Sequence, residues 1–243
     1  MNIGILYCGY NQLNNVKNTL NFWNDLKIEG INFVVSVVSV PFLEYKDIKI
    51  FEDGTIDYIK NLKHDNVKNI MTEPKFVKER VARSLCMDFL LKNNLDILWQ
   101  VDSDEYYNES NVKNIINFLK NNNGYTYSIN FKNYIFDGKH YLDDFCVPKI
   151  NYCKNLNILS FFDDNQVVYE KFGIVKPVPI PKEIALIKHL TWLNENGKSK
   201  VEYQLRHFGA CSYKWNESKQ QLELDFDYYR RHGYKVPTIL KED

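Results

Sequence analysis

The stretch LDILWQVDSDE, residues 95–105, places an apolar strand directly before three carboxylates. Its first part, Leu95–Val101, is mostly apolar, which favours a strand buried on both faces. In open α/β sheets, ligands bind at the carboxyl ends of such strands. Asp102 and Asp104 stand two residues apart on the following turn, so both can face one divalent cation, and Mg²⁺ and Mn²⁺ prefer oxygen ligands of this kind. The stretch therefore predicts a metal site, and the plain alternative is a solvated acidic loop or a helix cap.

On both sides of this stretch, predicted strands alternate with predicted helices through the first 125 residues. Strands are predicted at Asn2–Cys8, Ile31–Val40, Val67–Met71 and Leu95–Val101, and helices at Gln12–Leu26, Thr55–Leu62, Lys75–Asn94 and Val112–Leu119. The clearest helix carries Val77, Val81, Leu85 and Phe89 at four-residue spacing, which predicts its buried face. Such alternation predicts an α/β fold with a mostly parallel central sheet and helices on both faces.

The second half of the chain has a different pattern. Short aromatic strands are predicted at Tyr125–Tyr134, Phe145–Tyr152 and Val167–Phe172, separated by polar turns. They indicate a small antiparallel, aromatic extension of the fold. A last strand at Ile184–Leu190 precedes a helical stretch and a polar tail rich in Tyr and Arg.

Composition narrows the class of protein. The 31 Lys and Arg residues balance the 31 Asp and Glu residues, which argues against a dedicated nucleic-acid binder. The five cysteines include no CxxC pair, so reduced thiols in a cytoplasmic compartment are expected. The longest apolar run, Ile31–Phe42, is too short to span a bilayer, so we expect no transmembrane segment. Walker, GxGxxG and GxSxG motifs do not occur, which disfavours kinases, dehydrogenases and esterases.

Three segments that follow one another in the chain resemble a pattern of glycosyltransferase family 2 and its GT-A relatives. That pattern is a helix opening with Ala-Arg-Asn, then an apolar strand, then Asp-x-Asp-Glu. Here Ala82-Arg83-Ser84, Ile97–Val101 and Asp102-Ser103-Asp104-Glu105 stand at the matching positions, with Ser84 in place of the Asn. The segment Glu52–Asp57 echoes the family's Asp-Asp-Gly-Ser-Thr-Asp, after an insertion that follows Val40. The resemblance covers roughly residues 1–125 and, more weakly, extends to about residue 210.

The resemblance implies a GT-A, Rossmann-like catalytic domain over residues 1–243. Residues 1–125 would form the nucleotide-sugar-binding half, residues 126–210 the acceptor and catalytic half, and residues 211–243 a helical tail. The implied activity is that of a metal-dependent, hexosyltransferase-type glycosyltransferase. It would move a sugar from a nucleotide-diphosphate sugar, with a UDP-sugar expected, to a hydroxyl of a glycan, lipid-linked or protein acceptor. Because family 2 enzymes usually invert the anomeric centre, inversion is expected, and the oligomeric state is left open.

The resemblance also implies a metal site for Mn²⁺ or Mg²⁺ at Asp102, Asp104 and His189. The segment Ile187-Lys188-His189-Leu190-Thr191-Trp192 resembles the strand-ending His of many GT-A enzymes, which completes that site. Imidazole suits Mn²⁺ as a ligand. The alternative for His189 is a half-buried strand histidine held by a hydrogen bond.

Further site residues follow from the same resemblance. Donor contacts are expected from Asp102, Arg83, Asp53, Ser39 and Lys198. Arg83 would contact phosphate or hold the acidic loop by a bidentate pair, and Ser39 is an equal candidate to Asp53 for the nucleotide base. A solvated helix face is the alternative for Lys198.

A carboxylate must accept the proton of the acceptor hydroxyl in an inverting reaction. Asp163 and Asp164, between two predicted short strands, are the first choice for this base. Asp143-Asp144 and Glu170 are the alternatives, and each of these residues also suits a turn.

Three other functions compete with an inverting transferase. A retaining GT-A enzyme would share the acidic motif and the late His. A haloacid-dehalogenase-like phosphatase would also use a strand followed by Asp-x-Asp, with Lys149 and Asp163-Asp164 as its later residues, although Tyr106 replaces the expected small residue. A non-catalytic nucleotide-sugar binding protein is the third possibility.

Overall fold

The computed structural model describes residues 1–43, 52–154, 157–162 and 166–242. Within these ranges the strands are β1 (Asn2–Cys8), β2 (Asn32–Ser39), β3 (Val67–Thr72), β4 (Ile97–Asp102), β5 (Glu105–Tyr106), β6 (Thr126–Phe136), β7 (His140–Tyr152), β8 (Ile158–Phe161), β9 (Val167–Tyr169), β10 (Gly173–Ile174), β11 (Val178–Pro179), β12 (Leu186–Leu193), β13 (Tyr213–Asn216), β14 (Gln221–Leu224) and β15 (Leu240–Lys241). The helices are α1 (Leu13–Asp25), α2 (Thr55–Asn61), α3 (Glu79–Leu91), α4 (Glu109–Lys120), α5 (Asn194–Phe208) and α6 (Phe226–Arg231).

The chain forms two compact units, and their boundaries fall within strands. The first unit comprises Met1–Asn130 and Cys146–Ile187, and the second comprises Phe131–Phe145 and Lys188–Asp243. The predicted division at residues 125 and 210 within a single domain stays a prediction, and the compact units break the chain at other positions.

The first unit is built around a mostly parallel sheet with the order β3-β2-β1-β4. β1 pairs in parallel with β2 on one side and with β4 on the other, so that Ile3 lies between Phe33 and Ile97. The next strand, β7, runs antiparallel to β4, with Tyr152 opposite Ile97. A separate antiparallel sheet is formed by β8, β9 and β10. The predicted fold class is confirmed: an α/β, GT-A and Rossmann-like arrangement with additional antiparallel strands.

Neighbouring residues of β4 show that helices cover both faces of this sheet. Successive side chains of a strand point to opposite faces. Trp99 packs edge-on against Trp23 of α1, with their ring centroids 5.4 Å apart. Leu98, one residue earlier, belongs to the hydrophobic cluster that contains Met87 and Leu90 of α3. The strand that precedes the acidic motif is therefore buried on both sides, as its mostly apolar sequence predicts.

The buried face of α3 is not the one that the sequence pattern predicts. The prediction assigned it to Val77, Val81, Leu85 and Phe89. In the structure, Val81 and Leu85 are exposed, and Val77 lies before the helix. The buried residues of the helix are Ala82, Arg83, Cys86, Met87 and Leu90. An α-helix has 3.6 residues per turn, so a stripe of residues spaced by four drifts around the helix and lies close to a second apolar stripe. Packing against β1 and β2 buries the second stripe.

The second unit contains a β-hairpin where the sequence predicts a helical tail over residues 211–243. β13 and β14 pair antiparallel, with Tyr213 opposite Leu224. The buried residues of β14 alternate with more exposed ones, which is the period of a strand. The Asn216 side chain accepts hydrogen bonds from the backbone N–H groups of Ser218 and Lys219, which stabilises the turn. Only Phe226–Arg231 is helical in the described part of this tail, so the prediction of a helical tail was wrong.

No helix in the described part of the chain combines the length and the hydrophobicity of a membrane-spanning segment. All five cysteines are free thiols, and Cys146 is the exposed one.

The burial pattern of α3 can be tested with two leucines of the same helix. We expect Leu90→Ala to lower the free energy of unfolding by about 2–5 kcal/mol, because Leu90 is fully buried and its loss leaves a cavity. Leu85→Ala should cost less than about 1 kcal/mol, since 37% of Leu85 is exposed. Urea unfolding of the two variants measures both values. Equal losses would contradict the assigned face.

Candidate active site

The carboxyl ends of β1 and β4 lie side by side in the first unit, with Cys8 paired to Asp102. The backbone N–H of Ser103 donates to the Cys8 carbonyl at 2.9 Å, which continues the contact beyond the last strand residue. Gly9 makes this close approach possible. A Cβ atom there would lie 2.9 Å from the Ser103 Cβ and 2.8 Å from a methyl group of Val16, closer than such atoms pack. The absence of a side chain at Gly9 therefore lets the turn after β1 pack directly against the Ser103 side chain of the acidic loop.

The first turns of α1 hold the acidic loop through its polar side chains. The Ser103 hydroxyl donates to Gln12 Oε1 at 2.7 Å, and the Tyr106 hydroxyl donates to Asn15 Oδ1 at 2.7 Å. The Ser103 carbonyl in turn accepts from the Thr19 hydroxyl at 3.3 Å. Ser103 is 3% exposed, so these contacts are shielded from water. They fix the conformation of residues 102–106.

Asp102 is held by two cations from different parts of the chain. Its Oδ1 lies 2.9 Å from Nη2 of Arg83 on α3, and its Oδ2 lies 2.7 Å from Nζ of Lys149 on β7. Lys149 also contacts Glu105 Oε1 at 2.6 Å, and Arg83 contacts Glu79 at 2.7 Å. Arg83 thus divides its donors between two carboxylates, and the bidentate pair with the acidic loop that the sequence suggests is absent from the described contacts.

Burial strengthens this ion network. The side chains of Lys149 and Glu105 are 3% and 2% exposed, and that of Asp102 is 26% exposed. Burial alone would raise the pKa of Asp102, but the charges of Arg83 and Lys149 outweigh it and hold that pKa well below its ordinary value. Burial alone would lower the pKa of Lys149, but Asp102 and Glu105 raise it well above its ordinary value. Both groups are therefore charged at neutral pH.

The second aspartate of the motif adds its charge beside this ion network. Asp104 is buried, with 7% of its surface exposed. Its charge acts to raise the pKa of Asp102, against the stronger effect of the two cations, so the two aspartates of the motif lie near one another.

Two buried polar side chains beside this network lack complete hydrogen bonding. Gln100 precedes Asp102 by two residues and therefore shares its face of β4. Both polar atoms of its amide, and Nη1 of Arg83, have no hydrogen-bond partner within the described ranges. Buried polar atoms are normally satisfied by protein, water or ligand, so this face of the sheet has unused capacity for hydrogen bonds.

The two candidates for contact with the nucleotide base differ in how the fold uses their side chains. Asp53 Oδ1 accepts from the Thr55 N–H at 3.0 Å, and Oδ2 accepts from the Leu13 N–H at 2.8 Å. Asp53 thus serves the first turns of α2 and α1 as a capping residue. Ser39, at the end of β2, is fully buried, and its hydroxyl has no partner among the described residues. Contact with a base by either residue stays a prediction.

His189 and Lys198 belong to the second unit. His189 is 9% exposed, stacks on Phe145 with the ring planes 4° apart, and its Nδ1 lies 3.1 Å from Asn133 Oδ1. Donation of the Nδ1–H to that oxygen leaves Nε2 as the basic nitrogen, the form of imidazole that can ligate a metal. Lys198 pairs with Glu217 at 2.6 Å. The metal-ligand role of His189 and the donor contact of Lys198 stay predictions.

Most candidates for the catalytic base have side chains that the structure does not describe. Asp163 and Asp164 lie outside the described residues, and the side chains of Asp143 and Asp144 are not described either. The Glu170 carboxylate accepts a hydrogen bond from the Asn157 amide. Within the described ranges, no group of three His, Cys, Asp or Glu side chains is arranged to hold a metal ion.

Lys149 is a site residue that the glycosyltransferase pattern does not contain, and the sequence points to it only as the later lysine of the phosphatase alternative. Its sequence signal is a single charged residue, buried in the aromatic strand FCVPKINY, residues 145–152. Lysine is almost never fully buried without a paired carboxylate. That rule identifies Lys149 as paired, but the sequence does not identify its partners.

The importance of the buried ion network can be tested by removing its central cation. We expect Lys149→Met to lower the free energy of unfolding by about 3–5 kcal/mol, because it leaves Asp102 and Glu105 buried without their shared cation. The control is Lys154→Met. Lys154 is 71% exposed and lies 3.9 Å from Asp96, so its loss should change stability by no more than about 0.5 kcal/mol. Urea unfolding at neutral pH measures both, and similar effects of the two substitutions would contradict a stabilising network at Lys149.

No protein-family model and no curated protein matches the chain. The chain is similar to solved structures. S. aureus TarS 1-349 in complex with UDP-GlcNAc is 17% identical, with a TM-score of 0.38 over 55% of this chain and 34% of that chain. The complex of TarS 1-349 with UDP is 18% identical, with a TM-score of 0.35 over 55% and 36%. A further S. aureus TarS structure is 14% identical, with a TM-score of 0.44 over 85% and 39%. The chain thus spans between 34% and 39% of the lengths of these matched chains.

Proposed function

We propose that the chain transfers a sugar from a nucleotide-diphosphate sugar to an acceptor hydroxyl. The donor diphosphate would lie beside Asp102-Ser103-Asp104-Glu105. The observation that carries this proposal is the rigid acidic loop at the carboxyl ends of β1 and β4, where open α/β sheets bind ligands. The resemblance of the Ala-Arg-Ser, strand and Asp-Ser-Asp-Glu segments to glycosyltransferase family 2 supports the same function.

The acidic character of this loop fits a divalent cation, Mn²⁺ or Mg²⁺. Such ions bind through one or two carboxylates together with substrate phosphates, so a cage of three protein ligands is not required. Asp104 would hold the ion, and each Asp102 oxygen keeps a second lone pair beside its bond to Arg83 or Lys149. The bound ion would supply neutralisation of the leaving diphosphate. His189 as a further ligand is part of the prediction from the resemblance.

The residues of the chain would then position the donor and accept one proton. Arg83 and Lys149 hold the Asp102 carboxylate in one orientation, and Ser103 fixes the loop against α1. In an inverting reaction a carboxylate takes the proton of the acceptor hydroxyl. The hydroxyl oxygen then bonds to C1 of the sugar as the bond from C1 to the diphosphate breaks. Asp163 or Asp164 is proposed as that carboxylate, with Asp143, Asp144 and Glu170 as alternatives.

Several finer features belong to this proposal as expectations. A UDP-sugar is the expected donor, and a glycan, a lipid-linked sugar or a protein is the expected acceptor. A retaining reaction is the alternative to inversion, and the anomeric configuration of the product distinguishes the two. The free thiols agree with the expected cytoplasmic location.

The phosphatase alternative has one observation in its favour. Lys149, the later lysine of that alternative, lies 2.7 Å from Asp102, the first aspartate of the motif. However, Lys149 is buried and shared with Glu105, which suits a structural cation equally well. Release of inorganic phosphate from p-nitrophenyl phosphate, without turnover of any nucleotide sugar, would favour the phosphatase.

A donor screen tests the proposed transfer reaction. Purified protein is incubated with Mn²⁺ and a panel of UDP-, GDP- and dTDP-sugars, and nucleotide release is measured with and without EDTA. We expect release from at least one donor, dependence on the metal, and a loss of at least about a hundredfold in Asp104→Ala, because that carboxylate would hold the ion at the leaving group.

The matched control for this screen is Asp88→Ala, which removes an exposed carboxylate from α3. It should keep the rate of the unaltered protein. Metal-independent release that Asp104→Ala leaves unchanged would contradict the proposed site, and absence of release with every donor would contradict the proposed function.

A further inference from the structure

The second unit contains a cavity of about 530 Å³. Small-molecule sites in proteins commonly measure ~300–1,000 Å³, so the cavity is large enough for a ligand. Leu222 and Leu224 of the hairpin line it and are 1% and 4% exposed, whereas Phe226 and Ile239 line it with 54% and 40% of their surfaces exposed. The cavity therefore combines a buried apolar surface with an accessible aromatic ring.

The turn between β6 and β7 brings three further residues to this cavity. Phe136, Asp137 and His140 all line it. Phe136 has a φ of 58°, in the left-handed region that an aromatic residue rarely adopts, and Gly138 follows with a φ of 73°. Asp137 Oδ1 stabilises the turn by accepting from the Lys139 N–H at 2.9 Å and lies 3.0 Å from His140 Nδ1. Backbone strain of this kind tends to occur at ligand sites.

The charged groups that line the cavity are balanced by neighbours. Asp137 is paired with His140, whose hydrogen bond lowers the pKa of Asp137 to about 2. Glu223 accepts from Lys219 at 2.9 Å, and Lys214 stands opposite Glu223 in the hairpin register. The cavity thus offers hydrogen-bond donors and acceptors without a large excess of either charge, so an uncharged ligand rich in hydroxyl groups matches it better than a phosphate or a cation.

We propose that this cavity binds a neutral saccharide unit of the acceptor. The Phe226 ring would pack against the apolar C–H face of a pyranose, while Asp137 and Lys214 would hydrogen-bond to its hydroxyl groups. The description of the saccharide as acceptor rests on the proposed transferase function. Binding of a saccharide to the cavity does not depend on it.

Titration of the full-length chain with methyl glycosides of neutral hexoses and N-acetylhexosamines tests the cavity directly. Isothermal calorimetry gives the affinity, and protein NMR identifies the residues whose resonances shift. We expect millimolar binding that shifts Phe226, Lys214 and neighbouring hairpin resonances, and a loss of affinity of at least about fivefold in Phe226→Ala. Lys214→Ala, an exposed position, should weaken binding as well without loss of the fold.

Phe172→Ala is the matched control, since Phe172 is 42% exposed and does not line the cavity. It should bind the glycosides as tightly as the unaltered protein. Absence of binding by every glycoside at millimolar concentration, or binding that Phe226→Ala and Lys214→Ala leave unchanged, would overturn the inference.

A second measurement separates this inference from the proposed function. With a donor found in the screen, Phe226→Ala should raise the KM for the glycoside acceptor at least about fivefold, while nucleotide release to water stays within about twofold. Glycoside binding in the cavity without turnover of any donor would support the saccharide site and contradict the transferase. Donor turnover with an unchanged acceptor KM in Phe226→Ala would overturn the saccharide site alone.

Discussion

The contact of the Lys149 ammonium group with Asp102 and Glu105 holds together the parts of the first unit that form the candidate site. Backbone pairing between β4 and β7 includes the pair of Trp99 and Ile150. Pro148 precedes Ile150 by two residues on β7 and has no N–H to donate to a ladder. The lysine side chain connects the two segments in this region through ionic contacts. Because each of these charges would be costly to bury alone, the acidic loop, β7 and α3 depend on one another.

The same network gives the acidic motif two roles that sequence alone does not separate. Asp102 is committed to Arg83 and Lys149, so part of the motif maintains the structure of the loop. Asp104, the proposed ligand of the ion, is buried, whereas part of the Asp102 side chain is exposed. A motif of two aspartates that looks symmetrical in sequence is therefore unsymmetrical in its environment.

Local patterns predicted much of the fold because strands and helices of the first half differ in period. The alternation of strands and helices, the parallel sheet and the buried strand before the acidic loop all follow from spacing. The face of α3 does not, because Leu85 and Cys86 both lie on plausible stripes and only packing against the sheet buries Cys86. The hairpin at Tyr213–Leu224 was missed because its strands are short and its turn residues are polar in a chain that is polar throughout.

The candidate site was predictable in its position and only partly in its contacts. An apolar strand followed by carboxylates locates the acidic loop. The resemblance named Arg83 as a contact of this loop, but it did not name Lys149, because such long-range pairing has no local signature in the sequence. The hydrogen bonds of Asp53 and Ser103 to the start of α1 likewise join residues that are far apart in the sequence.

The packing of Gly9 against Ser103 has a consequence for the kinetics of ligand capture. A loop that is already held by the β1 backbone and by Gln12 loses little conformational entropy when a ligand arrives. Association at this end of the sheet would therefore require no slow ordering step in residues 102–106. The association rate would instead depend on diffusion and on the long-range electrostatic field of the acidic loop, which weakens as ionic strength rises.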